Sequence, residues 1–237
     1  MCLCVLQRKL PAFQFGVSQL EFRLEVPWHG GNVTSSDLRN LCNLWTVFLL
    51  HRPTASAIEA FLADGRNHRL SYEPIGIAKG DPRGYQLDDV RVEVGAGAAA
   101  FERAKAALLD WEMFNTGFTE VFPARASTED GSNVAVLIRH FGFWSLNASR
   151  VVYQIREEDS GEIRFGFAYG TLTDHGERGE EVFAACFHRE TQKVSYWLRA
   201  ASQPAALLAR LGYPFVRHLQ ARFRRASCDA MVRAVGR

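Results

Sequence analysis

No apolar run in the chain is long enough to cross a bilayer. Leu44–Leu50, interrupted only by Thr46, falls far short of the roughly 20 residues a membrane-spanning helix needs. Cysteine is sparse and scattered: Cys2, Cys4, Cys42, Cys186 and Cys228 are an odd set. Cys2-Leu-Cys4 is too tight for an ordinary disulfide framework, and no second pair completes a zinc site. Reduced thiols, a cytoplasmic location, no metal and no cofactor are the expectations that follow. His140, His188 and His218 show no ligand spacing, and no G-x-S-x-G, H-E-x-x-H or P-loop signature occurs.

Acid is nearly absent from one end. From Arg199 to Arg237 there are eight Arg and a single acid, Asp229, so this segment carries +7 in a chain whose total is +2. The remaining residues, 1–198, therefore carry −5. The composition is otherwise that of a globular protein, 47% hydrophobic and 23% charged over 237 residues.

Residues 1–43 have no clean period and include the loop-like VPWHGGNVTSSD. We expect 1–46 to be an atypical N-terminal extension, disordered or read from a misassigned start, with 47–237 a single α+β domain. The competing reading makes the first segment an extra strand and helix. Thr54–Leu62 reads as a short helix capped by Thr54 or Ser56. Asp88–Val94 alternates as a strand, and Ala98–Phe114 has Phe101, Ala104, Leu108 and Trp111 at helical spacing. Five strand-like runs follow, at Val134–Phe143, Arg150–Arg156, Ile163–Leu172, Glu180–Phe187 and Val194–Ala200. Short polar connections predict antiparallel hairpins.

Pro204–Leu211 suits one or two helical turns. Pro214 opens a final helix with Phe215, Leu219, Phe223 and Ala226 as its apolar stripe, and Arg217, Arg222, Arg224 and Arg225 largely on its other faces. Gly95-x-Gly97-x-x-Ala100 loosely matches a dinucleotide fingerprint, but no parallel strand follows it, so a tight strand-to-helix turn is the better account.

The densest stretch is FGFAYGTLTDHGERGEEVFAACF, Phe165–Phe187. As a strand, it sets Ile163, Phe165, Phe167, Tyr169 and Thr171 on one face. Arg164, Gly166, Ala168 and Gly170 leave the other nearly bare, with room for a helix or a ligand. Glu180 and Glu181 are sequence neighbours on a strand, so they point to opposite faces and only one can enter a given cavity. His175 sits in the polar loop between, where an imidazole could act as a base.

Leu70–Gly76 (LSYEPIG), Gly84–Phe114, Ser149–Ile155 (SRVVYQI), Gly166–Phe183 (GFAYGTLTDHGERGEEVF) and Ser202–Phe223 together resemble the uncharacterised domain-of-unknown-function family numbered nineteen-ninety, found in bacteria and plants. The resemblance covers about Val47–Val235. Thr173 and Gly176 stand where that family more often carries proline. The family brings no assigned reaction. Its layout is similar to the helix-grip arrangement of START-like (SRPBCC) proteins, which implies a curved antiparallel sheet of about six strands gripping a long C-terminal helix over an apolar cavity.

The leading expectation is a protein that binds a small apolar or amphipathic molecule in that cavity. Tyr169 and one of Glu180 or Glu181 would anchor it, Gly166 and Gly170 would make room, and Tyr72 and Trp111 would line it. One alternative is an enzyme on the same scaffold, with His175 or Tyr169 moving a proton and Glu181 orienting the substrate. Another is an interaction protein whose groove is filled by its own side chains. The Arg-rich helix adds contact with an anionic surface, without specific nucleic-acid binding.

Overall fold

Short polar turns do fold the C-terminal half into a meander, but the sheet is wider than the alternation alone predicts. The computed structural model describes residues 48–173, 175, 177–204 and 213–236. The expected extension at 1–46 lies outside these residues, as do residues 205–211 of the helical turns expected over Pro204–Leu211; Pro204 itself ends a strand. In chain order the elements are β1 (Phe48–Leu49), α1 (Ala55–Gly65), β2 (Gln86–Ala96), α2 (Ala98–Leu109), β3 (Thr119–Phe122) and β4 (Asn133–Arg139). There follow β5 (Trp144–Glu158), β6 (Glu162–Thr171), β7 (Glu177–His188), β8 (Lys193–Pro204) and α3 (Tyr213–Val235).

The strands form one antiparallel sheet in the order β2-β8-β7-β6-β5-β4-β3, with β1 paired to β5 off this path. This curved sheet and its long C-terminal helix are the helix-grip arrangement expected. The six expected strands are present. β3 and β1 are additional: each is short, and β3 lies hidden in the irregular run MFNTGFTEVFPARAS.

Local chemistry sets the element ends. Thr54 Oγ1 accepts from the Ala57 N–H at 3.3 Å and caps α1. Gly97 opens α2 at φ 80°, in the left-handed region glycine tolerates. α2 stops at Leu109, before the expected Phe114, because Trp111 takes a left-handed conformation at φ 57°. Its indole N–H donates to the Ala126 carbonyl at 2.9 Å. A single 3₁₀ turn, Glu112–Phe114, then buries Met113 and Phe114.

The sheet has two covered faces. On one, α2 and α3 pack over Phe167, Phe183, Tyr196 and Leu198, with Leu108 and Met231 fully buried between them. Burying each such side chain stabilises the fold by about 1.5–3 kcal/mol. On the other face lie Ala168, Val182, Ala184 and Ala201, covered by the segment that carries Tyr72, Ile77 and Ala78. A third cluster joins α1 to β4 and β5 through Ile58, Leu137 and Leu146.

The bare stripe of β6 faces this second layer. A Cβ at Gly170 would collide with the Tyr72 hydroxyl and ring, and one at Gly166 would collide with the Phe183 carbonyl of β7. Neither a helix nor a ligand site fills the space that the sequence leaves open. Tyr72 and the neighbouring strand fill it.

Gly170→Ala therefore forces Tyr72 to move, and should lower stability by about 1–3 kcal/mol, as overpacking does. Urea unfolding measures this. In a double-mutant cycle with Tyr72→Leu the two losses should not add, because the smaller side chain removes the clash.

Candidate functional site

β7 presents its two adjacent glutamates to the two different layers. Glu180 is 2% exposed and faces the Tyr72 segment. Its Oε2 accepts from the Tyr72 hydroxyl at 2.8 Å and the Gly76 N–H at 2.7 Å. Its Oε1 accepts from the Tyr153 hydroxyl at 2.6 Å and the Ala78 N–H at 3.2 Å. Burial, and after it the charge and hydrogen bonds of Glu180, holds both tyrosines far above their ordinary range, so they remain donors. Arg199 ties the same segment down through the carbonyls of Ala78 and Gly80, each at 2.7 Å. With every carboxylate lone pair occupied, Glu180 and Tyr72 form a structural anchor on the face away from α3, as do Gly166 and Gly170 beside them. The structure does not bring these four expected ligand residues to the helix side.

Glu181 points to the helix side. Its Oε2 accepts from the Tyr169 hydroxyl at 2.8 Å. The Tyr169 ring is stacked with Trp111 (6.4 Å, 13°) and lies 6.2 Å from Phe114 and 5.3 Å from Phe183, while Phe114 is 5.1 Å from Phe223 of α3. Three of the expected residues, Tyr169, Glu181 and Trp111, thus share one site. Rings occupy much of the space between sheet and helix there. Trp111 and Phe114 also line a surface cleft of about 240 Å³ with Thr119, Val121 and Pro123.

Beside Glu181 lies an ionic network that the sequence reading missed. Asp88 of β2 receives two bonds from Arg217, at 2.6 and 2.7 Å, and one from Arg224 at 2.7 Å. Gln220 accepts from Arg217 at 2.6 Å and donates to Glu177 at 2.6 Å and Ser202 at 3.1 Å. Arg217 and Arg224 were expected mostly on outer faces of the helix, yet both turn towards β2. The signal was in the spacing: positions 217, 220 and 224 make one stripe of a helix, and Asp88 begins an alternating strand.

Burial raises the Glu181 carboxyl from its ordinary 4.5 to about 7, against the Tyr169 hydrogen bond, with Glu177 adding like charge and Arg224 opposing. Glu177 is also raised by burial, against Gln220 and Arg217. His175, by contrast, falls from 6.5 to about 4, chiefly through burial. Its Nδ1 accepts from the Glu177 N–H at 3.0 Å, which leaves the ring proton on Nε2. Glu181, Glu177 and His175 are only half-buried by area, so these groups are not sealed from water. Among the described residues, no three of His, Cys, Asp and Glu gather in a way that could hold a metal ion.

Comparison with known proteins follows the same residues. The family model described as "Domain of unknown function (DUF1990)" matches residues 71–230. A curated Dictyostelium discoideum protein named "UPF0548 protein" is 30% identical over 208 residues, covering 80% of this chain and 96% of its own length. One of the same name from Deinococcus radiodurans is 36% identical over 204 residues, covering 80% of this chain and its own entire length. Among solved structures, a Thermus thermophilus protein superposes with a TM-score of 0.45 at 13% identity, over 63% of this chain and 97% of that one.

The shifts of Glu181 and His175 make opposite contributions to stability. A carboxyl raised in the folded state favours folding fully below 4.5 and loses that advantage as pH rises to about 7. An imidazole lowered in the folded state stabilises above 6.5 and loses this as pH falls to about 4. Between about 4.5 and 6.5 the two slopes oppose each other. Glu181→Gln should leave stability rising with pH across that window, and His175→Asn should leave it falling, each by roughly 1–3 kcal/mol. Urea unfolding at a series of pH values measures both slopes.

Proposed function

This chain belongs to the family of the domain of unknown function DUF1990, and from that premise we propose that it binds a small amphipathic molecule between the sheet and the C-terminal helix. The observation that carries this reading is the Tyr169–Glu181 hydrogen bond, set among aromatic rings and beside half-buried polar groups. A carboxyl whose pKa lies near 7 is poised to donate to a carbonyl or hydroxyl, or to ionise against a cation. The polar end of the ligand meets Glu181 and Tyr169. Its apolar part packs against Trp111 and Phe114, which line the neighbouring cleft. Few polar groups converging beside aromatic walls is the usual composition of such a site.

The same carboxyl supports a second reading, in which Glu181 transfers a proton during a reaction and Tyr169 orients it. General acid–base groups work best when their pKa lies near the operating pH. A pH–rate profile that turns near 7, and that Glu181→Gln flattens, would favour the enzyme over the binding protein.

The binding reading is tested by native mass spectrometry of the gently purified protein, followed by denaturing extraction. A reproducible bound mass is expected, and Tyr169→Phe or Glu181→Gln should each weaken its retention about tenfold or more, the loss of a charge-assisted hydrogen bond. Glu180→Gln is the control for lost stability: measured on the folded fraction, its retention should fall less than with either helix-side substitution. Retention that survives both helix-side substitutions would sink the assignment.

A further inference from the structure

The turn between β4 and β5, at His140–Phe143, forms one end of the sheet, and β1 runs beside it with Leu49 paired to Trp144. This end carries the two most exposed large apolar side chains of the described residues, Leu50 at 77% and Phe141 at 70%. Phe141 stands next to Gly142, at a tip where few neighbours can cover it.

A cation lies beside Phe141. Arg222 of α3 lies 3.9 Å from the centre of the Phe118 ring and 5.6 Å from that of Phe141. Unlike Arg217 and Arg224, which are committed to Asp88, it makes no ion pair among the described residues. His218, Arg222 and Arg225 are spaced i, i+4, i+7 and so share one face of α3. Arg225 is exposed, as is Arg139 at the end of β4, whose hydrogen bond goes to the Gly117 carbonyl at 3.4 Å and to no carboxylate. Arg222 also helps to hold His140 below its ordinary range, after the larger effect of burial, so that imidazole adds no charge near neutral pH. The nearby Arg52 is neutralised by Glu120 at 2.6 Å.

We propose that this end of the molecule docks on an anionic membrane surface. Phe141 and Leu50 enter the interfacial layer, and Arg139, Arg222 and Arg225 meet the lipid headgroups. Apolar insertion and cation attraction reinforce each other in such contacts, and neither suffices alone. Charge decides against a second copy of the chain, since a two-fold contact would bring the same three arginines together. The apolar chemistry decides against nucleic acid. Leu50 has no flat face for a base to stack on, and Arg222 already covers one face of Phe118. The surface is separate from the Tyr169–Glu181 site and does not rest on the ligand reading.

The test is co-sedimentation of the full chain with vesicles of phosphatidylcholine, or of phosphatidylcholine with about a third phosphatidylserine, at low and at high salt. Binding is expected to the anionic vesicles only, and should fall about tenfold or more at high salt. Arg139→Gln/Arg222→Gln/Arg225→Gln should abolish it. Phe141→Ser should weaken it several-fold at unchanged charge, because the insertion is lost. If removing the Arg222 ring contact perturbs folding, seen by circular dichroism, the pair Arg139→Gln/Arg225→Gln at exposed positions carries the test. Equal sedimentation with both vesicle types would overturn the proposal. So would anionic binding that the arginine variants leave intact, or binding to an oligonucleotide of equal strength that Phe141→Ser does not alter.

Discussion

A strand has two faces, and β7 turns one glutamate to each. Everything on either side of the sheet depends on that alternation being held in register, and the Glu180 carboxylate holds it. A carboxylate removed from water is costly unless its lone pairs are filled. Two tyrosine hydroxyls and two backbone N–H groups fill those of Glu180, drawn from the Tyr72–Ala78 segment and from β5. A slip of one residue would bring Glu181 into this set and turn Glu180 to the helix face, away from Tyr72 and Tyr153. The anchor on one face therefore fixes what the other face can offer.

What the helix face offers is a mixture of charges held at unequal distances from neutralisation. Asp88 is matched by two guanidinium groups, so that part of the network is saturated. Glu177 has the amide of Gln220 as its bonded partner, and Glu181 has a phenol. Neither partner carries a formal charge, and burial accordingly moves both acids upward. Such a gradient, from fully paired to barely paired within one cluster, is where a ligand or substrate group gains most by arriving.

Much of this fold is legible in the sequence, because the meander from Val134 to Ala200 is a series of strand-like runs joined by short polar turns. The opposition of Glu180 and Glu181 follows from the same period of two. Other features are invisible for physical reasons. Tyr72 lies about a hundred residues before the Gly170 it covers, and no local pattern links the two. β3 spans only four residues, too few to show a period. The end of α2 is decided by a tertiary hydrogen bond, from Trp111 to Ala126, that overrides an unbroken helical pattern. The inward arginines of α3 defeat the rule that charge faces water, since Asp88 sits on a strand more than a hundred residues earlier.

The pairing of β2 with β8 has a consequence for how the chain is made. Gln86 lies opposite Ser202 and Ala96 opposite Lys193, so the first long strand waits for the last before its ladder can close. Contacts so far apart in sequence pay a large loop-closure entropy before they return any stability, which places this topology among slow folders. On a ribosome, β2 emerges with an open edge and keeps it until β8 has been synthesised. The alternating charges of Asp88, Arg91 and Glu93 along that edge discourage pairing with other nascent chains in the interval.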